Sequence, residues 1–166
     1  MRSTAPKRNL RKAMTNITIM PKTASIFDSQ MKVLVNPVNT QGRSSKGLAL
    51  EFAKRYPETQ AEYEMWCRSG KLRGGGSINV THFKHPDKMI LYAFTKEDPR
   101  KPSRLEWIEM LMKTCEWGWL ARGAYNSFAI PALGCGLGCL NWDDVRPIIE
   151  AAFVDIDCEV ELYPPR

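Results

Sequence analysis

The sequence predicts an α/β domain with three layers, α/β/α, around a mixed central sheet. Three observations lead there. Short apolar runs alternate along the chain with segments of helical period. Two of the strand-to-helix junctions carry long loops rich in glycine, asparagine and serine, the kind that hold ligands beyond the carboxyl ends of parallel strands. The 166 residues, 43% hydrophobic and 25% charged, suffice for one domain with a sizeable core and are too apolar for a disordered chain.

The elements follow in order. Ile17-Thr18-Ile19-Met20 is a β-type run that stops at Pro21, and residues 24–27 offer a second short extended segment. Val33-Leu34-Val35 is continuously apolar, as a strand buried on both faces must be. It ends in Asn36-Pro37-Val38-Asn39 and the polar loop Thr40-Gln41-Gly42-Arg43-Ser44-Ser45. From Lys46 the period turns helical, with Leu48, Phe52 and Tyr56 spaced by four and Pro57 stopping the run. A second helix carries Tyr63, Trp66 and Cys67, with Gly70 past its end.

Glycines 74–76 form a loop ahead of Ile78-Asn79-Val80-Thr81-His82-Phe83. A turn at His85-Pro86-Asp87 leads to Met89-Ile90-Leu91-Tyr92-Ala93-Phe94, which makes a pair of strands. Ser103 with Glu106 matches the S-x-x-E capping box. Leu105, Ile108, Met112, Cys115 and Trp119 then follow a 3-4-3-4 spacing that defines one apolar face. Trp117 lies off that face and is the tryptophan available to stack on a base; Trp66, Trp107, Trp119 and Trp142 read as core. Ser127-Phe128-Ala129-Ile130 is another buried strand, running into Pro131-Ala132-Leu133-Gly134-Cys135-Gly136-Leu137-Gly138. Asn141 caps a helix whose first turn holds Asp143 and Asp144, the charge sign that a helix N-terminus favours. Residues 160–163 form the last strand before Pro164-Pro165.

Composition removes several classes. No apolar run approaches a membrane span, and no repeat is found at any period. The five cysteines (Cys67, Cys115, Cys135, Cys139, Cys158) are odd in number and contain no C-x-x-C pair. Reduced thiols in the cytoplasm fit that pattern better than a disulfide framework or a zinc ribbon. Charge is unevenly spread: of 24 basic residues, Arg2, Lys7, Arg8, Arg11 and Lys12 stand in residues 1–16 without an acid. The remainder balances 19 basic against 18 acidic residues, so the basic character belongs to the tail. Residues 1–16 read as a disordered basic arm and residues 17–166 as the folded domain. The arm lacks the apolar stretch of a secretory signal and the amphipathic pattern of a transit peptide. It is either a solvated tail or a phosphate-seeking segment that adds non-specific affinity for nucleic acid.

Both chemical candidates are strand-to-loop-to-helix junctions. Gly134-x-Gly136-x-Gly138 lets the backbone approach a phosphate and adopt positive φ at little cost, although such a turn also serves as a plain tight connection. The loop from Asn39 to Gly47 is the second candidate, and two such loops favour a ligand with a diphosphate between them. The fingerprints G-x-G-x-x-G and G-x-x-x-x-G-K-[ST] are absent, which removes dinucleotide-fold dehydrogenases and P-loop NTPases.

At these residues a family resemblance becomes specific. Val33-Leu34-Val35-Asn36-Pro37-Val38-Asn39 followed by Lys46-Gly47-Leu48-Ala49 resembles the first motif of macro domains, the ADP-ribose-binding modules. Residues 130–138, then Trp142-Asp143-Asp144-Val145, resemble the second. Phe94-Thr95-Lys96 followed by Lys101-Pro102-Ser103-Arg104-Leu105-Glu106 is similar to the DNA ADP-ribosyl glycohydrolase antitoxins (DarG type) and, more distantly, to the human terminal ADP-ribose glycohydrolase.

The resemblance implies a site. Asn39 would contact the distal ribose hydroxyls, an amide suiting groups that both donate and accept. Gly42, Lys46 and Gly47 would line the same end, with Asn36 and Thr95 among the ligand-binding residues and Ile26 on the adenine side. Gly134, Cys135, Gly136, Leu137 and Gly138 would wrap the diphosphate and distal ribose. Lys96 matches the catalytic lysine of the subgroup, whose amine would attack the anomeric carbon or promote its release. Such an amine must be neutral; Arg100 and Lys101 would favour that form, while Glu97 and Asp98 would oppose it. Cys135 and Cys139 read as loop and core residues because no histidine partner is evident, and His82 and His85 are given no role.

Two departures stand out. The acidic residue that macro domains place beside adenine is Ser25 here, ahead of Ile26, with Asp28 near in sequence. The aspartate that the human enzyme carries in its second glycine loop is Gly138 here, as in the antitoxin type. The implied activity is hydrolysis of ADP-ribose from a modified macromolecule, ADP-ribosylated DNA first, without a metal or redox cofactor. An ADP-ribose 1″-phosphate phosphatase and a non-catalytic reader of ADP-ribose or NAD-derived nucleotides are the alternatives. A cytoplasmic monomer with no membrane partner is expected.

Deleting residues 1–14 is predicted to leave binding of free ADP-ribose unchanged. Affinity for DNA should fall and its salt dependence should flatten, since every lost phosphate contact removes a released counterion. Titrations at several salt concentrations check this, and an unaltered salt slope returns the arm to a solvated tail.

Overall fold

Two buried strands paired in parallel form the middle of the sheet, and the other elements are arranged around them. The computed structural model describes residues 16–81, 84 and 87–166. The arm up to residue 15 lies outside the described residues, as do both histidines. In chain order the elements are β1 (Asn16–Ile19), β2 (Val33–Asn39), α1 (Gly47–Arg55), α2 (Pro57–Arg68), β3 (Ser77–Thr81), β4 (Met89–Lys96), α3 (Leu105–Thr114), α4 (Trp117–Arg122), β5 (Ser127–Pro131), α5 (Trp142–Phe153) and β6 (Glu159–Tyr163). The sheet order is β1-β6-β5-β2-β4-β3. Every pairing is parallel except that of β3 with β4, so the sheet is mixed, as the sequence predicts.

Strand alternation assigns the two faces. Val33 and Val35, Leu91 and Ala93, Phe128 and Ile130, and Val160 and Leu162 face one core, against α3, α4 and α5. Leu34, Val38, Ile90, Tyr92 and Phe94 face the other, against Phe52 of α1 and Tyr63 of α2. Successive side chains of a strand point to opposite faces, so a continuous apolar run is what a doubly covered strand needs. Each fully buried side chain of this size contributes about 1.5–3 kcal/mol. Pro57 ends α1 and also opens α2 as its first residue, where a missing N–H costs nothing. Asn141 caps α5 by accepting from the Asp143 N–H at 3.0 Å, as its sequence predicts.

The structure corrects four expectations. Residues 24–27 are not a strand: a 3-10 turn spans Ile26–Asp28, and the Ser25 hydroxyl accepts from the Phe27 N–H. A serine that bonds its own backbone locally competes with ladder formation. Second, β2 continues through Asn36-Pro37-Val38-Asn39 instead of ending there. Its ladder to β5 runs only over Val33 and Leu34, so Pro37, with no N–H to give, is carried by the pairing with β4.

Third, Ser103 does not cap α3. Arg104 is the N-cap residue and makes no side-chain cap bond, while Glu106 meets Arg104 at 3.6 Å. The Ser103 N–H is committed to the Gly138 carbonyl at 2.9 Å, and its side chain packs beneath the glycine loop. Fourth, the apolar stripe does not run through to Trp119. The helix ends at Thr114, Cys115 is extended, and α4 begins at Trp117. That break resets the helical phase. Trp117 is therefore 2% exposed and stacks edge-on to Phe128, whereas Trp119 is 68% exposed. Trp66 is also exposed.

Trp117→Ala is predicted to destabilise the protein by ~3–5 kcal/mol, the scale for emptying an aromatic core site. Trp119→Ala should stay within ~0.5 kcal/mol of wild type, as exposed sites do. Denaturant unfolding of both variants checks this; a costlier loss at Trp119 means one continuous helix with the opposite phase.

Candidate active site at the carboxyl edge of the sheet

Because β2, β4, β5 and β6 are parallel, their carboxyl ends all reach one edge of the sheet. Asn39 and Lys96 end their strands there as register partners, and the Thr40 N–H donates to the Lys96 carbonyl at 3.1 Å. The loop after β5 crosses the same edge. Lys96 Nζ donates to the Leu137 carbonyl at 2.9 Å. Leu137, 63% exposed, also lies beside Gly47, where a Cβ would stand 3.4 Å from Leu137 Cδ1. The two loops singled out in the sequence thus meet, with Lys96 between them.

The first loop is shaped by Asn39. Its Oδ1 accepts from the Gln41 and Arg43 N–H groups at 3.0 and 3.2 Å, and its Nδ2 donates to the Arg43 carbonyl at 2.7 Å. An amide is the side chain that can donate and accept in one place. Tyr63, buried on α2, donates its hydroxyl to the Asn39 carbonyl at 2.7 Å. Burial, the largest cause, pushes the Tyr63 phenol well above its ordinary range, so it stays protonated as a donor. The sequence places Tyr63 on this helix and gives its hydroxyl no role, because spacing reveals the ring and not the polar tip. Gly42 and Gly47 both adopt positive φ, +76° and +59°, which lets the loop turn into α1. Lys46 is the N-cap residue of α1, with no side-chain cap bond.

In the second loop the three glycines answer to different constraints. Gly134 has φ +72° and would set a Cβ 2.7 Å from Leu140 Cδ1. A Cβ at Gly138 would fall 2.3 Å from Ser103 Oγ and 2.4 Å from the Gly134 carbonyl oxygen, so only glycine fits. Gly136 has an ordinary φ and nothing within 4 Å of its would-be Cβ: its outer side is open. Leu140 N–H closes the loop onto the Gly134 carbonyl at 2.9 Å. Cys135 is half-buried against the core, and burial pushes its thiol up to about 11, which suits a packing role. Cys139 is exposed at φ +63°.

The remaining predicted residues lie close by or beneath. Thr95 precedes Lys96 and is 3% exposed. Asn36 is wholly buried on β2, opposite Tyr92, with both amide atoms unpaired among the described residues. Ile26 sits in the core under the 3-10 turn, which Phe27 ties to Phe52 of α1 with ring centroids 4.8 Å apart. Asp28 is exposed, whereas Ser25 is partly buried. Near Lys96, Arg100 and Asp98 are paired with each other. Arg100 grips Asp98 through Nε and Nη2 at 3.0 and 2.8 Å, holding that carboxyl well below the usual range. Glu97 turns away to accept from the Gly74 N–H.

Known proteins are similar to this chain in sequence and in fold. A DNA ADP-ribosyl glycohydrolase of Mycobacterium tuberculosis is 34% identical over 146 residues, 84% of this chain and 40% of that protein. The chain thus spans about two-fifths of the length of the curated relative it matches. The solved macrodomain of Mycobacterium tuberculosis DarG has a TM-score of 0.78 at 31% identity, covering 92% of this chain and 99% of that one. Thermosipho africanus DarTG, solved in complex with ADP-ribose, has a TM-score of 0.79 at 26% identity, covering 90% of this chain and 42% of that one. The family profile described as "Macro domain" matches residues 35–149, the span that holds both loops and Lys96, and the chain belongs to the macro domain family.

Proposed function

We propose that this protein binds ADP-ribose across the two loops and hydrolyses it from modified macromolecules, with ADP-ribosylated DNA the favoured substrate and Lys96 the catalytic residue. The observation that carries this reading is the position of the Lys96 amine, 2.9 Å from a carbonyl of the glycine loop and level with Asn39 on the neighbouring strand. The names of the similar proteins, one a DNA ADP-ribosyl glycohydrolase and one solved with ADP-ribose, support the ligand and the reaction class.

In this reading Gly134, Cys135, Gly136, Leu137 and Gly138 take the diphosphate against backbone donors and the open side of Gly136. Asn39 keeps one amide N–H for a ribose hydroxyl after serving its own loop. Gly42, Lys46 and Gly47 close around the distal ribose; Asn36 and Thr95 lie beneath it, and Ile26 lies on the adenine side. Ser25 supplies a hydroxyl where a carboxylate would accept the adenine amine, so discrimination for adenine is weaker here. Hydrolysis breaks the bond from C1″ to the base, and the base leaves with a proton. As a neutral amine, Lys96 bonds to C1″ while that bond breaks; water then replaces the amine on C1″ and the amine is regenerated. Gly138 provides no second carboxylate, so the lysine works without one. The basic arm adds contact to DNA.

Wild-type protein incubated in parallel with ADP-ribosylated DNA and ADP-ribosylated protein should release ADP-ribose from the DNA first. Release of inorganic phosphate from ADP-ribose 1″-phosphate, with no ADP-ribose from DNA, points to a phosphatase instead. Tight binding without either product means a reader.

Lys96→Ala is predicted to slow release from DNA by at least ~100-fold, the scale for losing a catalytic group. ADP-ribose binding measured by calorimetry should survive, because backbone donors hold the diphosphate. Lys96→Arg should fail as well, since a guanidinium stays protonated and is no nucleophile. Wild-type turnover in Lys96→Ala sinks the assignment. Gly136→Val should keep the melting temperature near wild type, because a Cβ at that position has no neighbour within 4 Å, and yet block ADP-ribose binding. Unchanged affinity in that variant means the diphosphate lies elsewhere.

A further inference from the structure

Ser103 carries a polar group that the fold leaves unused. The residue is 6% exposed, and among the described residues its hydroxyl has no hydrogen-bond partner. A buried donor without a partner costs stability, and its retention in a native structure calls for an explanation. The hydroxyl is not needed as a helix cap, since Arg104 occupies that position and the Ser103 N–H is spent on the Gly138 carbonyl.

Its surroundings are the underside of the glycine loop. Ser103 Oγ and the Gly134 carbonyl oxygen both border the single point that a Gly138 Cβ would occupy, at 2.3 and 2.4 Å. Gly134 accepts one bond from Leu140, and a carbonyl oxygen has a second lone pair to offer. Donor and acceptor thus face one gap, the space that glycine leaves empty, and narrowing it brings them together. The segment that bears Ser103 also begins at Lys96, whose amine holds the adjacent Leu137 carbonyl. The loop is thus gripped at neighbouring carbonyls by the two ends of one segment, with a spare donor at the Ser103 end.

We propose that Ser103 is a positioning residue whose hydroxyl donates to the Gly134 carbonyl when the glycine loop closes on its ligand, so that the loop is locked in the liganded state alone. This rests on the reading of the loop as an ADP-ribose diphosphate site. A bond formed in only one state biases the equilibrium toward that state by its own strength. The hydroxyl therefore stabilises the complex and not the free protein.

The experiment compares wild type, Ser103→Ala and Ser103→Cys by thermal unfolding without ligand and by calorimetry with ADP-ribose. Cysteine keeps a polar atom in the space but is a weak donor. Both variants should melt at or above the wild-type temperature when free, having shed an unsatisfied hydroxyl. Both should bind ADP-ribose about 10-fold more weakly, the size of one net hydrogen bond. Unchanged affinity in both variants overturns the proposal. So does a melting temperature several degrees lower in both, since that marks an ordinary structural role in the free protein. A wild-type protein that fails to bind ADP-ribose overturns the functional reading first, before any variant is made, and this inference with it.

Discussion

Parallel strands cannot be joined by a tight turn, so the pairing of β2 with β4 obliges the chain to leave the sheet and return before β4 can begin. That excursion is made by α1, α2 and β3, and it supplies the cover for one face of the sheet. The same pairing brings Asn39 and Lys96 to the edge in register. Both strands are buried on both faces, which leaves their ends as the places where polar side chains reach out. Nearly everything at the candidate site depends on that ladder.

The loops above it are held in different ways, residue by residue. Asn39 organises its loop through three hydrogen bonds, while Tyr63 fixes its carbonyl from below. Each such bond is worth about 1 kcal/mol net. The glycine loop is held by contact: Ser103 fills the space under Gly134 and Gly138, and only Gly136 keeps an open side.

Charge around the site is more balanced than a list of its residues suggests. Arg100 and Asp98 form a bidentate pair on the surface, and Glu97 serves the Gly74 loop. Lys96 therefore meets a backbone carbonyl and two glycine-bearing loops instead of a field of one sign. The excess positive charge of the protein resides in its first 16 residues, away from this chemistry in sequence.

The layer order, the mixed sheet and the two loops at the sheet edge were legible because they follow from local rules: apolar runs need two covered faces, glycines at strand ends mark special backbone, and Asn141 caps because its side chain reaches its own helix. The motifs around Asn39, Lys96 and Gly134 carried the family in the same way. What failed in the sequence reading were inferences about which of two partners a residue would choose. Ser103 matches a capping box, yet Gly138, 35 residues later, claims its N–H and the space for its side chain. Trp119 continues a helical stripe, yet Trp117 takes the core site once the helix breaks at Cys115. Tyr63 has the spacing of a core residue, and its hydroxyl finds Asn39 only across the packed layers. Local periodicity determines which side chains are apolar and how often they recur. Competition between near and distant partners is decided only when the chain is packed, because burial and steric exclusion come from residues far away in sequence.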